Sequence, residues 1–322
     1  MVNTLNQAET ATQRREQPSP PTRRRKRSPL QKRENRAAYL FLAPWFIGLI
    51  FISIGPIIAS LVLSFTDYSL LAPPEWIGLE NYQRMIDDPR LHNSLVVTFT
   101  YVFVSVPLVL VFALALALAL DRGLRGLPIY RSVYYLPSLL GGSVAIAILW
   151  RRIFGSDGLV NQLLGLLGFE NLPGWVGHPD YALDTLIALN VWTFGSPMVI
   201  FLAGLRQIPV MYYEAAAVDG AGPVRRFVTI TLPLLTPIIF FNLVLQMINA
   251  FQTFSQAFIV SGGTGGPADS TMFYTLYLYL RGFSAFDMGY ASALAWFLLM
   301  IIAGFTAVNF IASRYWVHYG DD

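Results

Sequence analysis

Charge is spread so unevenly along these 322 residues that it dictates the solvent. Asp, Glu, Lys and Arg are missing from six long stretches, residues 37–66, 91–120, 132–150, 185–205, 227–268 and 288–313. A soluble chain scatters its charges over its surface. Here only 13% of residues are charged and 55% are hydrophobic, which points to lipid. Crossing hydrocarbon takes about 20 apolar residues at about 1.5 Å each, with the backbone bonded internally, so the stretches read as helices and open strands are excluded. The longest stretch could hold two helices. Its end, Ser261-Gly262-Gly263-Thr264-Gly265-Gly266-Pro267, is a poor helix former, which leaves one span from about 233 to 260 followed by a loop. The expectation is an all-α polytopic membrane protein with six transmembrane helices.

Lys and Arg near spans stay on the cytoplasmic side. The tail to Arg36, the loops 121–131 and 206–226 and the carboxyl tail carry 17 of them, against 5 in the alternating segments. Both termini and the loop around Glu214 are therefore expected in the cytoplasm. Arg151 and Arg152 are the exceptions, read as anchors whose long stems snorkel to headgroups. Residues 1–36, with the basic run Arg23–Arg27, lack apolar periodicity and are expected to be a disordered cytoplasmic tail that touches acidic lipid, not nucleic acid. The remaining parts are a first transmembrane helix at 37–66, a core at 92–311 and a second cytoplasmic tail at 312–322.

Enzymatic chemistry finds no footing. There is no cysteine, and the two lysines, Lys26 and Lys32, both lie in the tail, outside any phosphate-binding glycine loop. His92, His178 and His318 are far apart, so no metal site is indicated. No span centre carries an ionisable residue, which weakens a proton- or sodium-coupled carrier without excluding it.

The segment 207–233 reads as two helices at an angle. Pro209 suits the first turn of a helix of about ten residues, Gly220 its left-handed cap, and Gly222-Pro223 a second start. That helix is too short to span, but Ala215, Ala216 and Ala217 give it a smooth surface. Asp219 opposes the helix dipole by roughly 0.3–1 kcal/mol and is expected to find a compensating partner. The residues alone leave a connecting hairpin and a docking element equally open.

Glu214-Ala215-Ala216, Gly220, Ile230 and Leu232-Pro233, at their fixed spacing, resemble the signature loop of binding-protein-dependent ABC importer permeases. Further pieces resemble the carbohydrate branch and its larger maltose-type subunit: Tyr130-Arg131 to Pro137, Gly158-Leu159-Val160-Asn161, Trp192, Phe201 to Leu205, Gly265-Gly266-Pro267 and Gly289-Tyr290-Ala291. The resemblance implies a type I ABC importer transmembrane domain. It implies that 207–233 is a coupling loop seated in a cytoplasmic ATPase, with Glu214 facing the groove, and that a side chain at Gly220 would clash or strain the backbone. Implied partners are a second homologous permease, two ATPase subunits that use ATP and magnesium, and an extracytoplasmic solute-binding protein that delivers a carbohydrate. The chain itself would bind no cofactor or metal and would not be an enzyme.

Sugars are held by amides, hydroxyls and aromatic faces, so neutral polar residues inside spans are the candidates for a path. Asn190, Trp192, Thr193 and Ser196 cluster in the fourth span, and Gln246, Asn249, Gln252 and Thr253 follow helical spacing in the fifth. Taken one at a time, each is better read as bonding one span to another. The maltose-type resemblance favours these two spans as the source of sugar contacts, with Asn190 first and Gln246 and Asn249 next. A self-contained channel or secondary carrier is the competing reading.

Overall fold

The computed structural model describes residues 29–121 and 126–318, with side chains from residue 38 onward. The described residues divide between Ile57 and Ile58 into two units. In the first, a helix begins at Pro29, upstream of the expected start at 37, and runs to Gly48 before a wider turn at Leu49–Ile54. With Gly55–Leu63 it gives an apolar first span, Ala38–Leu63, and no residue from 38 to 57 is buried. The expected disorder of residues 1–28 and the last four residues of the carboxyl tail lie outside the described residues.

The wider turn has a local cause. Pro56 cannot donate to Ile52, so the Gly55 amide reaches one residue further back, to Ile50, and the helix passes the proline on a π turn. The same solution recurs at Pro233. There the Leu232 amide bonds Phe227, and the π turn Phe227–Thr231 joins Pro223–Arg226 to Leu232–Phe251 in one fifth span, Pro223–Phe251. The expected boundary near Pro233 therefore does not exist. Nor does the span reach Val260: it stops at Phe251, and Ser255–Val260 is a separate helix packed on Val144–Ile153.

The second span, Pro89–Asp121, and the sixth, Met288–Trp316, are uninterrupted. The other two are broken. Leu127–Leu140 meets Val144–Ile153 at 95°, and Ala182–Trp192 meets Gly195–Leu205 at 40°. The straight third helix expected at 132–150 is corrected to this bent pair, broken at Gly141-Gly142-Ser143, where Ser143 caps the new helix by accepting from the Ile146 amide. A β-carbon on Gly141 would lie 2.1 Å from the Thr193 Cγ2, so the two breaks touch.

The connections alternate between two ends, and on that ground each bent pair is counted as one candidate span. At one end Asp121, closing the second span, pairs with Arg206 after the fourth at 3.6 Å. At the other, Arg84 pairs with Asp287, Arg90 with Asp269, and the Val176 amide with the Phe154 carbonyl. Counted that way, the described residues hold six candidate spans. In the second unit the second span is central, packed on the fourth and fifth and lined with small buried Ser94, Ser105, Ala113 and Ala117, which let neighbouring backbones approach.

Candidate functional site

The turn between the fourth and fifth spans is a framed structure. Pro209 caps the start of helix Val210–Val218 from just outside it, one place ahead of the expected first turn. Gly220 adopts φ +74, and its amide bonds the Ala217 carbonyl at 3.1 Å while the Ala221 amide reaches Ala216 at 2.9 Å. These are the two bonds of a Schellman cap. Gly222 then turns extended, and Pro223 opens the fifth span. Two side-chain bonds tie the turn to that span: Tyr213 Oη with Thr231 Oγ1 at 2.9 Å, and Arg226 Nε to the Ala221 carbonyl at 2.7 Å. Ile230, Leu232 and Pro233 are half-buried behind it, and Ile208 and Ala221 are buried.

The outward face is unlike the inward one. Val210, Met211, Val218 and Val224 are exposed, Val218 to 89%, beside exposed Glu214, Ala215 and Asp219. Neither carboxylate has an ion-pair or hydrogen-bond partner for its side chain among the described residues, so the compensation expected for Asp219 is not found among them. Around Gly220 a β-carbon would meet nothing within 4 Å, so a substitution there strains the backbone without an internal clash.

The second group of candidates meets in a cavity of about 390 Å³, lined by Asn190, Gln246, Asn249 and Thr253 together with Gln252, Thr193 and Ser196. The reading of the sequence missed Tyr101, Ser138 and Gln256, which also line it. The cavity collects the helix breaks. Ser138 Oγ donates to the Thr193 carbonyl at 2.8 Å and accepts from the Ser196 amide at 2.8 Å, while Gln256 Nε2 donates to the Gly141 carbonyl at 3.4 Å. Glycine pairs inside an apolar run are the signal by which this region could have been found. Asn190 spends its Nδ2 on Ser105 Oγ at 2.9 Å, so half of it bonds helix to helix, but its carbonyl oxygen makes no such bond. Gln246, Asn249 and Gln252 form no side-chain hydrogen bonds among the described residues. Trp192 is elsewhere: it packs on Trp150 at 5.9 Å and does not line the cavity. Carboxylates, lysines, arginines and histidines are all missing from the lining, so the surface suits a neutral hydroxylated ligand.

A third cluster escaped notice because charges were read only as span limits. Asp88, 7% exposed, caps the second span by accepting from the Arg90 and Leu91 amides at 3.1 Å. It also accepts from the hydroxyls of Tyr277 and Tyr290, and Arg281 lies 3.6 Å away. Burial pushes the Asp88 carboxyl up, but Tyr277, the Leu91 amide, Tyr290 and the Arg281 charge outweigh it and hold the group below 3.8. Burial first, then the bond to Asp88, pushes the Tyr277 hydroxyl up to about 12. Asp88-Pro89 is a helix-start signature that could have been recognised.

Comparison with known proteins adds ancestry to this geometry. Residues 87–317 match the family described as "Binding-protein-dependent transport system inner membrane component". The "Probable ABC transporter permease protein YesP" of Bacillus subtilis is 53% identical over 91% of this chain and 96% of its own length. The "Sulfoquinovosyl glycerol transport system permease protein SmoG" of Agrobacterium fabrum is 38% identical over 84% and 88%. Among solved structures, a chain of a bacterial alginate ABC transporter, crystallised with an alginate pentasaccharide-bound periplasmic protein, superposes with a TM-score of 0.77. It covers 88% of this chain and 95% of that one at 21% identity, a likeness of fold.

Proposed function

This chain belongs to the binding-protein-dependent transport system inner membrane components, and from that premise we propose that it forms half of an importer's pathway for a carbohydrate. A second homologous permease supplies the other half. Two cytoplasmic ATPase subunits, using ATP and magnesium, drive the cycle, and an extracytoplasmic binding protein delivers the ligand. The chain lies in the inner membrane with both termini and the turn 207–233 in the cytoplasm, as the distribution of Lys and Arg supports.

One observation carries the reading: the short helix Val210–Val218 is bonded firmly to the fifth span on one side and shows unpartnered apolar side chains and Glu214 on the other. Exposed apolar groups on a rigid frame are a surface made for another protein. A load applied there passes through Tyr213, Thr231 and the Schellman cap into the fifth span, and so to the cavity lined by Asn190, Gln246 and Asn249. Binding and release of ATP below then move the cavity walls as rigid bodies. The names of SmoG and of the alginate transporter, and the neutral amide-rich lining, support a carbohydrate as cargo.

The test is reconstitution of the four-part assembly in vesicles, with and without the ATPase subunits. ATP-dependent uptake is expected only from the full assembly, and flux through this chain without any ATPase would establish a self-contained carrier instead. Asn190→Ala should lower uptake by about tenfold, the value of one hydrogen bond, while leaving assembly intact.

A further inference from the structure

Asn242 is the buried polar group that the cavity does not explain. It lies in the fifth span, 1% exposed, and its Nδ2 has no hydrogen-bond partner among the described residues. Its helix packs on the second, fourth and sixth spans. Gln246 and Asn249 follow it on the same helix at intervals of four and seven residues, so at about 100° per residue the three fall within an arc of about 60°. Gln246 and Asn249 line the cavity, and Asn242 continues the same stripe one turn toward the 207–233 end. Further along that end, Leu235 and Ile238 of the fifth span press on Gly204 of the fourth, where a β-carbon would lie 2.0 Å from Ile238 Cδ1. Asn242 therefore stands between a polar cavity and a dry seam.

A buried amide without a partner is disfavoured, and apolar side chains of its size fill such seams without that penalty. We propose that Asn242 is a second hydrogen-bonding station for a saccharide hydroxyl, closed in this conformation and opened when the fourth and fifth spans part. The inference rests on the importer reading above. When the seam separates, the cavity lengthens by one helical turn, and the Asn242 amide becomes the next group a sugar meets on leaving Gln246 and Asn249.

The experiment uses the full four-part assembly with its binding protein. Wild-type ATP-dependent uptake is measured first, and its absence sinks the importer reading, not this residue. Given that uptake, Asn242→Leu should lower the maximal rate about tenfold while leaving assembly, thermal stability and basal ATP hydrolysis unchanged or improved. An unaltered rate, or failure of Asn242→Leu to assemble, assigns the side chain to packing and overturns the proposal. A second measurement is independent of rate. Because the chain has no cysteine, Asn242→Cys is the one thiol on it, and its labelling by a water-soluble methanethiosulfonate, read on this chain after the subunits are separated, should differ by at least about tenfold between nucleotide-free and vanadate-trapped assemblies, as expected of a site that is open in one state only. Equal labelling in both states refutes a site that opens with the cycle.

Discussion

The two ends of the unit formed by residues 58–322 treat their carboxylates in opposite ways. Asp88 is buried and saturated, with two backbone amides, two tyrosine hydroxyls and Arg281 around it. Arg84 and Arg90 close the surrounding loops by pairing with Asp287 and Asp269. At the other end Glu214 and Asp219 stand on the surface of a helix whose inner side is bonded down and whose outer side is left bare. The first end joins the starts of the second and sixth spans to the helix Tyr274–Tyr279 as one fixed platform, and the second is a rigid frame that lacks a counterpart. A carboxylate surrounded by its own chain serves the fold; one held out on a stiff support is left free of it.

That contrast can be broken by substitution. Asp88→Leu should have the largest effect, a loss of about 3–5 kcal/mol, because it strands Arg281 and two buried hydroxyls and removes a helix cap. Thermal unfolding in detergent measures it, and a loss no larger than that of a surface substitution would deny the platform. The same group sets an acid limb. Its folded pKa lies below 3.8, so its contribution is complete above that pH and is lost as pH falls through the lower folded value. Asp88→Asn should lack this limb.

Glu214→Lys should do the reverse. Stability should stay within about 0.5 kcal/mol, as for an unpaired surface site, while ATP hydrolysis linked to transport falls by more than about tenfold. Undiminished coupling in this variant would place the ATPase contact elsewhere. Gly220→Ala should cost about 1–2 kcal/mol, since φ +74 is strained for any residue with a β-carbon although the space around it is open. Comparing it with Gly220→Asp sharpens the point: similar stability with poorer coupling for the larger side chain locates the missing volume in the partner. Tyr213→Phe should be mildest, about 0.5–1.5 kcal/mol for one hydrogen bond, with a small drop in coupled hydrolysis.

Much of the turn between the fourth and fifth spans was legible in the chain, from Pro209 through the Gly220 cap to Gly222-Pro223. Glycine and proline act through their own dihedral angles and missing atoms, so their positions speak for the local backbone. The cavity was legible only in part. Asn190, Gln246, Asn249 and Thr253 share it, whereas Trp192, chosen for its chemistry, faces Trp150. Sequence spacing tells which residues share a face of one helix, but not which helix lies opposite.

By itself the sequence determined which segments are apolar and long enough to span and the shape of the turn between the fourth and fifth, because transfer of a segment into lipid and the geometry of a cap are settled within some twenty consecutive residues. Only the tertiary structure decided that the third and fourth spans break at one level, that Asn242 is sealed while Gln246 is not, and that Asp88 meets Tyr277 and Tyr290 from 189 and 202 residues away. Contacts of that kind depend on how separate helices pack. The free energy of a polar group there is set by neighbours that no local pattern names.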